Sequence, residues 1–188
     1  MRENDYPYQH MTAELEQTLV QLDCRALDRF ITLIPRARRI FVAGAGRSGL
    51  MARAFAMRLM HMGFQVFVVG DVTTPAVTSD DLLVVASGSG KTAGMLAIAD
   101  KAKQCGAKLV LITIQSDSPI AKNADVVVVI PAPTPKIDNQ ALQAVSIQPM
   151  GSLFEQSLLL VLDGIIIKLM AALHVTEDQM FSNHANLE

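Results

Sequence analysis

Three times the chain repeats one local grammar: a short aliphatic run, a Gly/Ser turn and a helical pattern. The units are RRIFVAGAGRSG into LMARAFAMRLMHMG, DLLVVASGSGKT into AGMLAIADKAKQCG, and KLVLITIQSDS into PIAKNA. Two further runs, QVFVVGD (65–71) and DVVVVIPAP (125–133), also read as strands. None of these strands alternates apolar with polar residues, so both faces of each are buried, as in a parallel sheet covered by helices on its two sides. The predicted fold is α/β, doubly wound, with three αβα layers. Right-handed crossovers then bring every strand-to-helix turn to one edge of the sheet, where such folds bind ligands.

The rest of the composition narrows the class. At 188 residues the chain is one ordinary domain, and 51% apolar content with 5% aromatics and no Trp predicts an aliphatic core. A formal charge of −2 supplies no basic field for a nucleic acid. Cys24 and Cys105 lie outside any CxxC or His cluster, which argues against a disulfide framework or a metal site and for idle thiols in a reducing cytoplasm. The polar start MRENDYPYQHM has no signal-peptide core. The stretch LLLVLDGIIIKLMAAL is interrupted by Asp163 and Lys168 and falls short of a clean membrane span, so a soluble cytoplasmic protein with no membrane partner is expected.

Single-domain organisation divides into an N-terminal helical segment (1–34), the strand and helix units (35–133), a Pro-rich connection (134–150) and a C-terminal helix with its tail (151–188). Residues 12–34 carry Leu15, Leu19, Leu22, Leu27, Phe30, Ile31 and Ile34 at helical spacing, which predicts one helix capped by Thr12, with Glu14 and Glu16 in its first turn and Pro35 at its end. The stretch GSLFEQSLLLVLDGIIIKLMAALHV predicts a long helix, with Ser152 as N-cap and Glu155 at the third position of a capping box. Its apolar residues run almost all the way round, a pattern of burial that in a small protein points to a subunit interface. The tail TEDQMFSNHANLE shows no apolar period.

Function is expected at the turns. SGSGKT imitates the end of a P-loop, but that motif requires a glycine where this chain has Val85. GAGRSG (44–49) fits the GxGxxG of dinucleotide folds, and Asp71 lies 27 positions after Gly44, near the place of a ribose-binding acid. A second glycine turn rich in hydroxyls points elsewhere: Ser87, Ser89 and Thr92, with Gly88, Gly90 and Ser48, offer hydroxyls and backbone N–H groups at helix starts to a compact phosphate monoester. The glycines equally suit tight turns and each serine a helix N-cap. Gly46 belongs to the same cradle, while Arg47 and Lys91 either add positive charge beside the phosphate or face water.

The pair GAGRSG and SGSGKT resembles the sugar isomerase (SIS) family, whose members bind phosphosugars at these turns. AMRLMHMGF, GSLFEQ and HANLE are similar, more narrowly, to the 6-phospho-3-hexuloisomerases of that family, over almost the whole chain. The resemblance implies interconversion of 3-hexulose 6-phosphate and fructose 6-phosphate through a cis-enediolate, in the ribulose monophosphate pathway of formaldehyde fixation. It implies no cofactor and no metal, a homotetramer, and a partnership with 3-hexulose-6-phosphate synthase. Glu155 becomes the proton acceptor, and His61 and His184 become candidates for moving protons among substrate oxygens, near neutral pH and from either subunit. Open beside this reading are another SIS aldose or ketose phosphate isomerase, a non-catalytic phosphosugar sensor and a dinucleotide-dependent oxidoreductase.

Overall fold

A computed structural model of the chain describes residues 6–134 and 146–187. Among them five strands, β1 (Ile40–Gly44), β2 (Val66–Val68), β3 (Leu82–Ala86), β4 (Lys108–Thr113) and β5 (Val126–Val129), form one parallel sheet in the order β2-β1-β3-β4-β5. β3 is buried along its whole length, as a strand covered on both faces must be. Successive residues part to opposite faces. Ile40 and Val42 join the core under one helical layer, Phe41 and Ala43 the core under the other.

The first layer holds α1 (Pro7–Leu19), α2 (Cys24–Leu33), α3 (Gly46–His61) and α6 (Ser152–Leu173); the second holds α4 (Ala93–Gln104) and α5 (Pro119–Asn123). α7 (Glu177–Ser182) packs on α3. From β1 the chain crosses through α3 to β2 on one side, and from β3 it crosses through α4 to β4 on the other. Adjacent β1 and β3 therefore feed helices in opposite directions, which opens a crevice beyond their C-terminal ends. The glycine turns 44–49 and 86–92 lie there.

The N-terminal segment departs from the single helix expected over 12–34. Pro7 starts α1, so Thr12 lies within that helix, where its hydroxyl donates to the Gln9 carbonyl, and Glu14 falls in a later turn. Asp23 opens a second helix by accepting the Arg25 N–H, and a short 3₁₀ turn (Ile34–Arg36) carries the chain past Pro35. Nor is Ser152 a cap: the N-cap of α6 is Gly151, without a capping side chain, and Glu155 sits one place beyond the capping-box position. The capping box lies instead in the tail, where Thr176 and Gln179 bond reciprocally and start α7. α6 is long and apolar enough by composition to span a membrane, contrary to expectation, although Leu158, Leu162, Ile165 and Leu169 bury in the core. Of the 134–150 connection, residues 135–145 lie outside the described residues.

Candidate active site

The turn after β1 needs its glycines. A Cβ on Gly49 would stand 2.5 Å from the Gly44 carbonyl oxygen, so α3 can cross β1 this closely only without one, and Gly46 takes φ +57°. Ala45 is the N-cap of α3 and makes no side-chain capping bond, which leaves the first turn to approach a ligand through its backbone. Arg47 and Ser48 project from that turn into the crevice.

The turn after β3 is tied into the sheet. The Ser87 N–H donates to the Ile112 carbonyl, the Ile114 N–H and Thr113 hydroxyl donate to the Gly88 carbonyl, and the Gly90 N–H donates to the Ser87 carbonyl. Ser87 is buried, and its Oγ lies 3.5 Å from Thr92 Oγ1, so two hydroxyls converge. Thr92 is the N-cap of α4, yet its side chain makes no capping bond. Ser89 Oγ accepts weakly from the Lys91 N–H at 3.4 Å.

These turns and the start of α6 enclose a cavity of about 550 Å³. Gly46, Arg47, Ser48, Ser87, Gly88, Ser89, Thr92 and Glu155 all line it. Glu155 is 17% exposed at its side chain, and its Oε2 lies 2.6 Å from Arg47 Nε, an ion pair that spans the crevice from α6 to α3. Gly90 and Lys91 are not in the lining. Gly90 is buried beneath the turn with φ +58°, and Lys91 points to solvent.

Several walls of this space carry no local sequence signal. Thr134 and the run Pro149 to Gly151 close it from the long connection, and Ile114 and Phe154 supply its apolar floor. Thr134 and Met150 are linked directly, the Thr134 hydroxyl donating to the Met150 carbonyl at 3.1 Å.

The two candidate histidines meet each other elsewhere. Their rings stack at 5.3 Å, with Phe181 stacked on His184, in a separate cavity of about 410 Å³ against α6 that is lined also by Arg58, Asp163, Ile167 and Glu177. Burial, reinforced by Arg58 and His184, lowers the pKa of His61 below the ordinary histidine value and favours its neutral form. Asp71, the residue at the ribose position of a dinucleotide site, is held in a two-pronged pair by Arg53 of α3.

The SIS domain matches residues 33–160, which span the sheet, both glycine turns and the first turns of α6. The chain belongs to the SIS domain family. It is 43% identical to the 3-hexulose-6-phosphate isomerase of Bacillus subtilis, covering 93% of this chain and 94% of that one. With the 3-hexulose-6-phosphate isomerase of Mycobacterium gastri the identity is 45%, over 93% and 86% of the two chains. A crystal structure from Methanococcus jannaschii, for which a 3-hexulose-6-phosphate isomerase function is inferred, superposes with a TM-score of 0.80 at 34% identity over the full length of both chains.

Proposed function

We propose that the chain is a 6-phospho-3-hexuloisomerase that interconverts 3-hexulose 6-phosphate and fructose 6-phosphate. The observation that carries this reading is the shared cavity: a hydroxyl-rich turn at a helix start and a carboxylate face one another across it, in a chain close to such isomerases over nearly its whole length. Anion and base thus have separate walls.

In this mechanism Ser48, Ser87, Ser89 and Thr92, with the N–H groups of the α3 and α4 turns and of Gly88, anchor the phosphate. Binding energy from that remote group holds the reacting carbons still. Glu155 takes the proton from C2 of the 3-hexulose phosphate while the C3 carbonyl becomes an oxyanion. A proton moves from the C2 oxygen to the C3 oxygen, the cis-enediolate collapses to the C2 ketone, and Glu155 returns its proton to C3. Arg47 pairs with Glu155 before substrate arrives and is drawn toward the phosphate afterwards, which frees the carboxylate to face the reacting carbons. Lys91, at the rim, steers the anion inward.

His61 and His184 carry protons among the substrate oxygens from a second subunit's cavity edge. Support for an assembly comes from the apolar side chains that crowd the histidine face, where Ile167 and Phe181 are 68% and 76% exposed. The assembly in this reading is a homotetramer. It works in the cytoplasm beside 3-hexulose-6-phosphate synthase, in the ribulose monophosphate pathway.

The test is a coupled assay of fructose 6-phosphate formation from synthase-generated 3-hexulose 6-phosphate. Glu155→Gln keeps the volume but removes the base, so it folds, binds fructose 6-phosphate and loses turnover by roughly a hundredfold or more. Near-normal turnover of the purified variant removes Glu155 from the mechanism. A wild-type chain that binds fructose 6-phosphate without forming it is a sensor instead.

A further inference from the structure

One wall of the cavity, Pro149 to Gly151, is the end of a short strap, residues 146–151, that is fastened from an unexpected place. Glu14, in the middle of α1, reaches the strap with both carboxylate oxygens. Oε2 accepts from the Ser146 hydroxyl at 2.8 Å and from Gln148 Nε2 at 3.0 Å, and Oε1 accepts from the Ile147 N–H at 2.8 Å. Gln148 is buried, and its Oε1 accepts from Gln156 Nε2 at 2.7 Å, one residue beyond Glu155 on α6. Ser146 Oγ also accepts the Gln148 N–H at 3.0 Å. The chain of bonds runs from α1 through the strap to the helix that bears the candidate base.

Two features show that the strap is held rather than merely packed. Met150 takes the left-handed φ of +57°, a conformation that a non-glycine residue keeps only where its surroundings fix it. Met150 is also exposed, so packing of its side chain does not supply that constraint; hydrogen bonds do, at the Met150 carbonyl from Thr134 and at the Pro149 carbonyl from the Ser152 N–H. Burial works against ionisation of Glu14, yet the bonds from Ile147, Gln148 and Ser146 outweigh it and lower the pKa, so the acceptor is an anion at neutral pH. Hydrogen bonds to a carboxylate are the stronger kind.

We propose that Glu14 is a positioning residue: by clamping Ser146, Ile147 and Gln148 it sets Pro149, Met150 and Gly151 as the wall that confines the sugar end of a bound phosphosugar. The inference rests on the phosphosugar reading of the cavity. It makes the N-terminal helix, outside the part of the chain matched by the SIS domain, a determinant of how tightly the sugar is held. The phosphate turns are built without it.

Isothermal titration of the full chain with fructose 6-phosphate and with inorganic phosphate, each against wild type and Glu14→Gln, tests this. The neutral amide turns an NH₂ toward groups that are themselves donors, so the strap loosens while the phosphate turns stay intact. Expected is phosphate affinity within about twofold of wild type, a preference for the sugar phosphate over phosphate that falls roughly tenfold, and kcat reduced by roughly ten- to a hundredfold. An unchanged preference, or a parallel loss of both affinities, overturns the proposal. Should Glu14→Gln fail to fold, Ser146→Ala removes one donor from the same clamp and is expected to lower the preference by a smaller factor; a wild-type preference there overturns it equally. Turnover by wild type reads the functional proposal separately, since the two dissociation constants report on the strap whether or not isomerisation is seen.

Discussion

Gly90 shows how a single residue serves this site without touching the ligand space. It sits under the hydroxyl turn at φ +58°, its carbonyl accepts the Ile120 N–H, and a Cβ built there would lie 2.0 Å from Ser118 Oγ and 2.5 Å from Ser118 Cβ. Ser118 cannot simply swing away, because its hydroxyl caps α5 by accepting the Ala121 N–H. Gly90→Ala therefore combines a left-handed backbone with a steric conflict, and should cost about 2 kcal/mol or more in denaturant unfolding. Ser89→Ala removes no such constraint and should leave the unfolding midpoint nearly unchanged. Phosphate affinity is expected to respond in the opposite order at equal folded fraction, since Ser89 faces the cavity and the Gly90 α-carbon does not.

Among the elements, the two ends of the sheet do different work. The C-terminal ends of β1 and β3 carry the cradle, while the N-terminal ends of β3, β4 and β5 carry the ion pairs: Arg39 with buried Asp81, and Lys103 and Lys108 with Asp125. Burial raises the pKa of Asp125, but Lys103, the Leu109 N–H and Lys108 together outweigh that and hold it at about 2. A carboxylate depressed on folding adds stability that is fully present above its unfolded pKa of about 3.9 and is lost as pH falls toward the folded value. Urea midpoints should therefore drop between about pH 4 and pH 2, and Asp125→Asn should flatten that part of the profile while lowering stability at pH 7. Element type was legible because period and turn chemistry agree in each unit, as with VVASGSG or VLITIQSDS. What stayed hidden were joins and long-range contacts. The break at Gln21 to Asp23 interrupts no apolar period, Ser152 looked like a cap because a Glu follows three places later, and the Thr176 box was masked by its short helix. Glu14 read as a helix-dipole residue, since nothing local announces a partner more than 130 positions away. The cradle serines could be found from spacing, but the Arg47 to Glu155 pair and the strap depend on α6 crossing α3.

At the scale of the molecule, the doubly wound order places one crevice at one reversal point, and SIS membership follows from the segment that builds it. Of the helices outside that frame, α1 fastens the strap, and the tail through α7 delivers His184 to His61. Opposite walls for phosphate and base suit any enolising phosphosugar isomerase, so the carbon that loses its proton is the sharpest point at issue. Fructose 6-phosphate held in D₂O with the enzyme and followed by proton NMR addresses it directly. A base acting across C2 and C3 replaces the C3 proton with deuterium, and Glu155→Gln abolishes that exchange. Exchange at C1 instead, or exchange at C3 that persists at the wild-type rate in Glu155→Gln, would contradict the account.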